Sequence, residues 1–192
     1  MCFCNVARDL AVRNIVILSP HAYNTMRNDY PAYGGNFKVL HYTQMLRDLV
    51  RKRALDPARG FEAIPTYHDP CFLGRWNDEY DAPRTLLDAI PGVSLIEMEK
   101  NRGGALCCGG GAGNFEIDLL GGSETSPARR RVREAAATGA SVLAVACQPF
   151  VWSSGLSESQ TAGDLVSALH GKERSEERSP EVGKLGCLDP SC

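Results

Sequence analysis

A chain of 192 residues with 43% apolar side chains can bury a full core, as one domain or as two small packed halves. Lys plus Arg number 21 and Asp plus Glu 23, and the formal charge of -2 excludes the positive field that collects nucleic acid or anionic membrane. No run approaches the ~20 apolar residues of a spanning helix, and Met1 to Leu10 lack the basic-then-apolar layout of a secretory leader; a cytoplasmic protein is expected, reaching the inner face of a membrane only through a partner.

In chain order, the β-branched run Asn14 to Leu18 predicts a strand that stops at Ser19-Pro20, and Tyr23 to Asp29 suits a short helix. The turn Gly34-Gly35-Asn36 leads to a second strand, Lys38 to His41. Thr43 to Ala54 follows as a helix with Met45, Leu46, Leu49 and Val50 on one face. The alternation then restarts: strand Ile64 to His68, helix Ala82 to Ile90, strand Val93 to Glu97, helix Pro127 to Thr138 closed by Gly139. Ser141 to Ala146 (SVLAVA) shows no polar alternation and is the most continuous candidate for a buried strand. Strands alternating with helices predict an α/β fold with a mainly parallel sheet. Beyond a short helix at Asp164 to His170, the charged stretch GKERSEERSPEVGK is expected to be disordered.

Eight cysteines at uneven spacing, in a chain with no export signal, favour metal or redox chemistry over a disulfide framework. The informative ones are Cys71, Cys107, Cys108 and Cys147, with 35 residues between the first two and 38 between the last two. Cys71 follows the strand TYHDP, Cys107-Cys108 opens into Gly109-Gly110-Gly111, and Cys147 ends SVLAVA. In a parallel sheet the loops beyond the strands' carboxyl ends meet along one edge, where ligands bind. Thiolates gathered there repel one another unless a cation holds them, and soft sulfur donors select zinc or iron-sulfur centres. Adjacent cysteines cannot easily serve one tetrahedral ion, so a multi-iron centre fits better than zinc. Gly109 and Gly110 leave it room and turn backbone N–H groups toward its sulfur.

The stretch YHDPCFLGR, and then YDAPRTLLDAIPGVSLIEMEKNRGGALCCGGGAGNF, resembles the second cysteine-rich (CCG) module of heterodisulfide-reductase-like iron-sulfur oxidoreductases. Asn14 to Leu55 resembles the end of the first module through SPHAYNTMRNDYPAYGGNFKVLHYTQML. The resemblance implies two pseudo-repeated α/β lobes: residues 1–60 as a remnant of the first module, 61–152 as the second, and 153–192 as a helix and tail. It implies an iron-sulfur cluster, of 4Fe-4S type, held in each complete module by five cysteines; here Cys71, Cys107, Cys108 and Cys147 match four of those positions. It also implies an electron-transfer subunit or fragment, with a flavoprotein, a ferredoxin-like subunit or a membrane cytochrome as redox partner.

Two departures stand out. Ser19-Pro20-His21-Ala22 occupies the place of the first module's Cys-Pro-x-Cys, so the first cluster is expected to be lost. Cys147-Gln148-Pro149-Phe150 replaces the second module's closing motif and leaves its fifth ligand missing, so that cluster is expected to be incomplete or absent. An amino-terminal truncation and a disturbed frame near residue 148 are expected from these losses. Cys2, Cys4, Cys187 and Cys192 are not expected to be ligands.

The rivals are a cluster-free scaffold or assembly subunit and a structural zinc domain. His68 and Asp69, ahead of Cys71, are expected to shape the strand end, with a proton or N–H donor to the cluster as the sharper possibility. His21 and Tyr23 are expected to be loop residues, and His41 to pack at a strand end. The glycines after Cys108 lack the Lys-Ser/Thr of a P-loop. Arg129, Arg130, Arg131 and Arg133 are expected to form a solvated helix face.

Overall fold

The computed structural model describes residues 3–57, 60–111, 123, 125–147 and 150. A short helix, α1 (Phe3–Asp9), leads into β1 (Asn14–Ile17), α2 (Pro20–Asn28), β2 (Lys38–His41) and α3 (Tyr42–Arg51). Then come β3 (Pro65–His68), α4 (Asp81–Asp88), α5 (Pro127–Ala137) and β4 (Val142–Val145), with 3-10 turns at Tyr30–Tyr33 and Arg102–Gly104. The fold is α/β, and its strands form two parallel pairs, β1 with β2 and β3 with β4.

Local chemistry sets these boundaries. Ser19 is extended and Pro20 sits in the first turn of α2, where a missing N–H costs nothing. After α2 the 3-10 turn closes on Gly34, whose φ of 78° suits glycine, and Gly35 N–H bonds to Tyr30 O at 2.9 Å before β2 begins. At the β2–α3 junction the Gln44 side chain accepts the His41 backbone N–H at 3.0 Å, satisfying a donor that the helix leaves orphaned. Gly139 stands past α5 with φ 73°, as a glycine stop requires.

The β-branched run at 14–18 and the stretch 38–41 are strands, in the register Asn14↔Lys38 to Ile17↔His41. Residues 93–97, expected as a strand, make only a single bridge, Val93 to Ala63. Ser94 and Ile96 donate to the carbonyls of Ala63 and Pro65 at 3.0 and 2.8 Å, but Pro65 has no N–H to return, so the ladder stops there. The deepest strand is β3, buried at all four positions; in β4 only Ala144 is fully buried. The expected helix at 164–170 and the tail lie outside the described residues.

One apolar cluster joins Tyr67, Leu87, Ile90, Ala144 and Ala146, with Tyr42 of α3 against it. Another joins Ile17, Tyr23 and Leu73, so a residue two positions beyond Cys71 seats under β1 and α2. Polar ties reinforce the contact: Asn77 donates to Asn24 at 3.0 Å, and Glu79 receives Gln44 at 2.5 Å while its other oxygen accepts Ala82 N–H at the start of α4.

His41 is fully buried; its Nε2 donates to Leu18 O at 3.0 Å, which leaves Nδ1 to accept the Thr43 hydroxyl at 2.8 Å. Burial, partly offset by the Leu18 bond and the charge of Glu79, holds its pKa at about 4, so the folded imidazole stays neutral where an unfolded one, at 6.5, takes a proton. The unfolded chain therefore binds the extra proton between these values, and stability present above pH 6.5 is lost as pH falls toward 4. Between pH 7.5 and 4 the wild type should lose roughly 2–3 kcal/mol more unfolding free energy than His41→Asn. Urea titrations at both pH values check this, and equal losses in the two proteins would refute it.

Candidate metal centre

The register His68↔Val145 puts the carboxyl ends of β3 and β4 side by side. Cys71 follows three residues after His68, and Cys147 two after Val145, so two cysteines distant along the chain leave the sheet at one edge. The Cys71 loop is folded by Leu73 and Gly74 N–H groups donating to Pro70 O at 3.1 and 2.9 Å, and by Trp76 N–H donating to Cys71 O at 3.1 Å.

The Cys107-Cys108 loop is brought to that edge by Asp69. Arg102 N–H donates to its Oδ2 at 2.7 Å, while Arg75 donates to Ala105 O at 2.8 Å. Asp69 is itself fixed by Arg84, whose two terminal nitrogens meet its two oxygens at 2.7 and 2.9 Å. The same guanidinium grips Glu97 at 2.5 and 2.9 Å and Tyr80 O at 2.8 Å, and its cation lies 5.4 Å from the Tyr67 ring centre. A shallow pocket beside Cys71 is lined by Asp69, Arg75, Arg102 and Ala105 among others.

Within this frame Cys71, Cys107, Cys108 and Cys147 are cysteines outside any disulfide and near enough to shift one another's ionisation in sequence: Cys71 with Cys107, Cys107 with Cys108, and Cys108 with Cys147. Cys107 is exposed; Cys108 and Cys147 are buried in an apolar cluster with Phe150. Gly109 N–H donates to the Cys107 sulfur at 3.3 Å and Gly110 N–H to the Cys108 sulfur at 3.5 Å. Gly109 has φ 74°, and a side chain there would meet Pro127 Cβ at 3.0 Å, so the residue after the cysteine pair has to be glycine. Bonds from Cys108 and Cys71 hold the Cys107 thiol far below the ordinary range, and the bond to Cys108 brings Cys147 to about 5 despite its burial. Cys71 and Cys108 move upward, each chiefly because it shares a hydrogen bond with Cys107.

Among the described residues, no three His, Cys, Asp or Glu side chains surround a point that would hold one metal ion. A lone tetrahedral zinc needs all its sulfurs about 2.3 Å from one centre. A string of four neighbouring thiols suits a larger, multi-iron group, and its all-sulfur donor set matches the softness of iron-sulfur centres.

Two imidazoles approach the string. His68, expected to shape the strand end, is buried; its Nδ1 accepts Arg131 Nε at 3.0 Å, so its proton sits on Nε2. Burial and then the Arg131 charge lower its pKa to about 3, and its ring stacks on Phe150 at 4.4 Å. His21, expected in a loop, is in the first turn of α2 beside Cys147, whose thiol it helps to lower, with its ring 4.5 Å from that of Phe72.

The arginine run is only partly solvated. Arg129, Arg130 and Arg133 are exposed, but Arg131 is wholly buried, binding His68, Lys100 O and Glu134. Its burial was legible in the helical period, since Ala128, Arg131 and Ala135 share the inward face of α5. Arg84 and Glu97 carried no comparable sign. Cys2, Cys187 and Cys192 lie outside the described residues.

Residues 65–149 match the cysteine-rich domain family, CCG. The chain is similar to the probable iron-sulfur-binding oxidoreductase FadF of Bacillus subtilis, with 41% identity over 136 residues, covering 71% of this chain and 19% of that protein. It is similar to an EtfAB:quinone oxidoreductase of Syntrophomonas wolfei, 43% identical over 107 residues, covering 56% of this chain and 15% of that protein. It also resembles one of the subunits of the dihydromethanophenazine:CoB–CoM heterodisulfide reductase of Methanosarcina acetivorans, 34% identical over 161 residues, covering 76% of this chain and 38% of that protein. The chain thus spans between about a seventh and two fifths of the length of these relatives. No solved structure matches it.

Proposed function

Because this chain belongs to the cysteine-rich domain family of heterodisulfide-reductase-like iron-sulfur oxidoreductases, we propose that it is an electron-transfer subunit, or a segment of one, holding one four-iron, four-sulfide cluster. The observation that carries this is the group of four neighbouring thiols gathered by the parallel pairing of β3 with β4, with two backbone N–H groups donating into it.

Cys71, Cys107, Cys108 and Cys147 would hold the cluster, which when bound supplies a carrier of single electrons. The protein's own share is positioning and electrostatics. The Arg84–Asp69–Arg102 tie keeps the Cys71 and Cys107 loops in register, and the Gly109 and Gly110 N–H groups favour the reduced, more negative state. Phe150 and the other apolar side chains around Cys108 and Cys147 keep water from that side, while exposed Cys107 faces the route by which electrons arrive or leave. The partner is a redox protein, a flavoprotein, a ferredoxin-like subunit or a membrane cytochrome, and the final acceptor is a disulfide or a quinone, the chemistry carried in the names of the relatives. Residues 1–60 are the remnant of a first module, and 61–152 are a second one that keeps four of its thiols. No helix among the described residues is long and apolar enough to cross a membrane.

The test is anaerobic reconstitution of the full chain with iron and sulfide. Several irons with matching sulfide per chain, and a broad visible absorption bleached by reductant, are expected. Protein that stays colourless and iron-free, yet folded, would return the function to a metal-free scaffold.

A further inference from the structure

At the position where a fifth thiol is expected stands Phe150, which is wholly buried, packs with Cys108 and Cys147, and stacks on His68. It offers no donor. His68 is committed elsewhere, since its Nδ1 lone pair already receives Arg131. His21 is different: its ring neighbours Cys147, and its Nδ1 is buried without any hydrogen-bond partner. Nδ1 is thus a buried ring nitrogen with no partner, on an imidazole that neighbours a thiol of the site. A buried polar atom left unmet is unfavourable, and a bound metal would satisfy it.

The placement of His21 is built. Tyr23, two residues on, is fully buried against Leu73, and Asn24 accepts Asn77 at 3.0 Å, so the first turn of α2 is locked to the Cys71 loop from two sides. Phe72 closes the other face of the ring at 4.5 Å. An imidazole is a good ligand for iron, it binds neutral, and it releases no proton on doing so. We propose that His21 supplies the fifth donor to the centre held by Cys71, Cys107, Cys108 and Cys147, an inference that rests on the iron-sulfur function proposed above. A residue of the first half, lying between the two places where a resembling module has its cysteines, thereby completes the site of the second half. Nitrogen in place of sulfur on iron also raises the reduction potential.

The experiment uses the full chain labelled with 15N-histidine and reconstituted anaerobically with iron and sulfide. Pulsed magnetic resonance on the paramagnetic state should show a directly bonded nitrogen in the wild type and none in His21→Gln. His21→Cys should keep the iron, lose the nitrogen signal and show a more negative midpoint potential. A wild-type cluster with no bonded nitrogen, or only the weak coupling of an N–H···S contact, overturns the assignment while leaving the iron-sulfur function standing; so does His21→Gln with an unchanged spectrum and iron content. Wild-type protein that takes up no iron overturns both.

Discussion

Cys107→Ser combined with Cys108→Ser should leave anaerobic reconstitution with no bound iron, no labile sulfide and no visible absorption, against several irons per chain in the wild type. The expectation follows from connectivity. Cys107 is the link between Cys71 and Cys108, and Cys108 the link between Cys107 and Cys147, so the double change splits the sulfur string into two isolated ends. Serine is nearly isosteric, and its hard oxygen is a poor substitute for thiolate on iron. The fold should survive. Cys107 is exposed, and a hydroxyl at buried position 108 can still accept from Gly110 N–H, which limits the cost to about 1 kcal/mol. Far-UV circular dichroism and urea midpoints near wild type would show that the loss is one of ligands. Cys187→Ser with Cys192→Ser, in the tail, should leave the iron content unchanged. Iron retained by the 107/108 variant would remove those cysteines from the site.

The sequence announces the cysteines clearly because each occupies a position that chain topology marks: after TYHDP, before a glycine run, after SVLAVA. Parallel pairing of β3 with β4 then does the gathering. What could not be read is what holds the loops to one another. Arg84 and Glu97 lie 13 residues apart on a helix and an irregular segment, and Asp69 must be reached from both sides by three-dimensional packing that no local period encodes. The missing strand at 93–97 is a different kind of miss: its residues favour extension, but the neighbour that would complete the ladder presents a proline. His21 was hidden for a third reason. Its sequence context resembles a motif that has lost its cysteines, and only the shared packing of Tyr23 with Leu73 returns that turn to the sulfur edge.

Arg84→Met should cost about 3–5 kcal/mol of unfolding free energy, read by urea denaturation, a larger effect than any surface charge change can give. The guanidinium side chain is 7% exposed and the Asp69 carboxylate 3%, so removing the cation strands a carboxylate with almost no water to receive it. Glu97, at 35%, is partly solvated and contributes less than its short bonds suggest. Methionine fills most of the stem's volume, which assigns the loss to the charge rather than to a cavity. Arg84→Lys keeps the charge but cannot engage both Asp69 oxygens together with Glu97, and should fall between wild type and Arg84→Met. Adding Asp69→Asn to Arg84→Met removes the stranded charge, so the double variant should be less destabilised than the sum of the two single changes. Strict additivity would mean that the pair acts independently. Because Asp69 also receives Arg102 N–H, the same release should loosen the loop that presents Cys107 and Cys108, and amide exchange in residues 102–108 should quicken in Arg84→Met even where the protein stays folded.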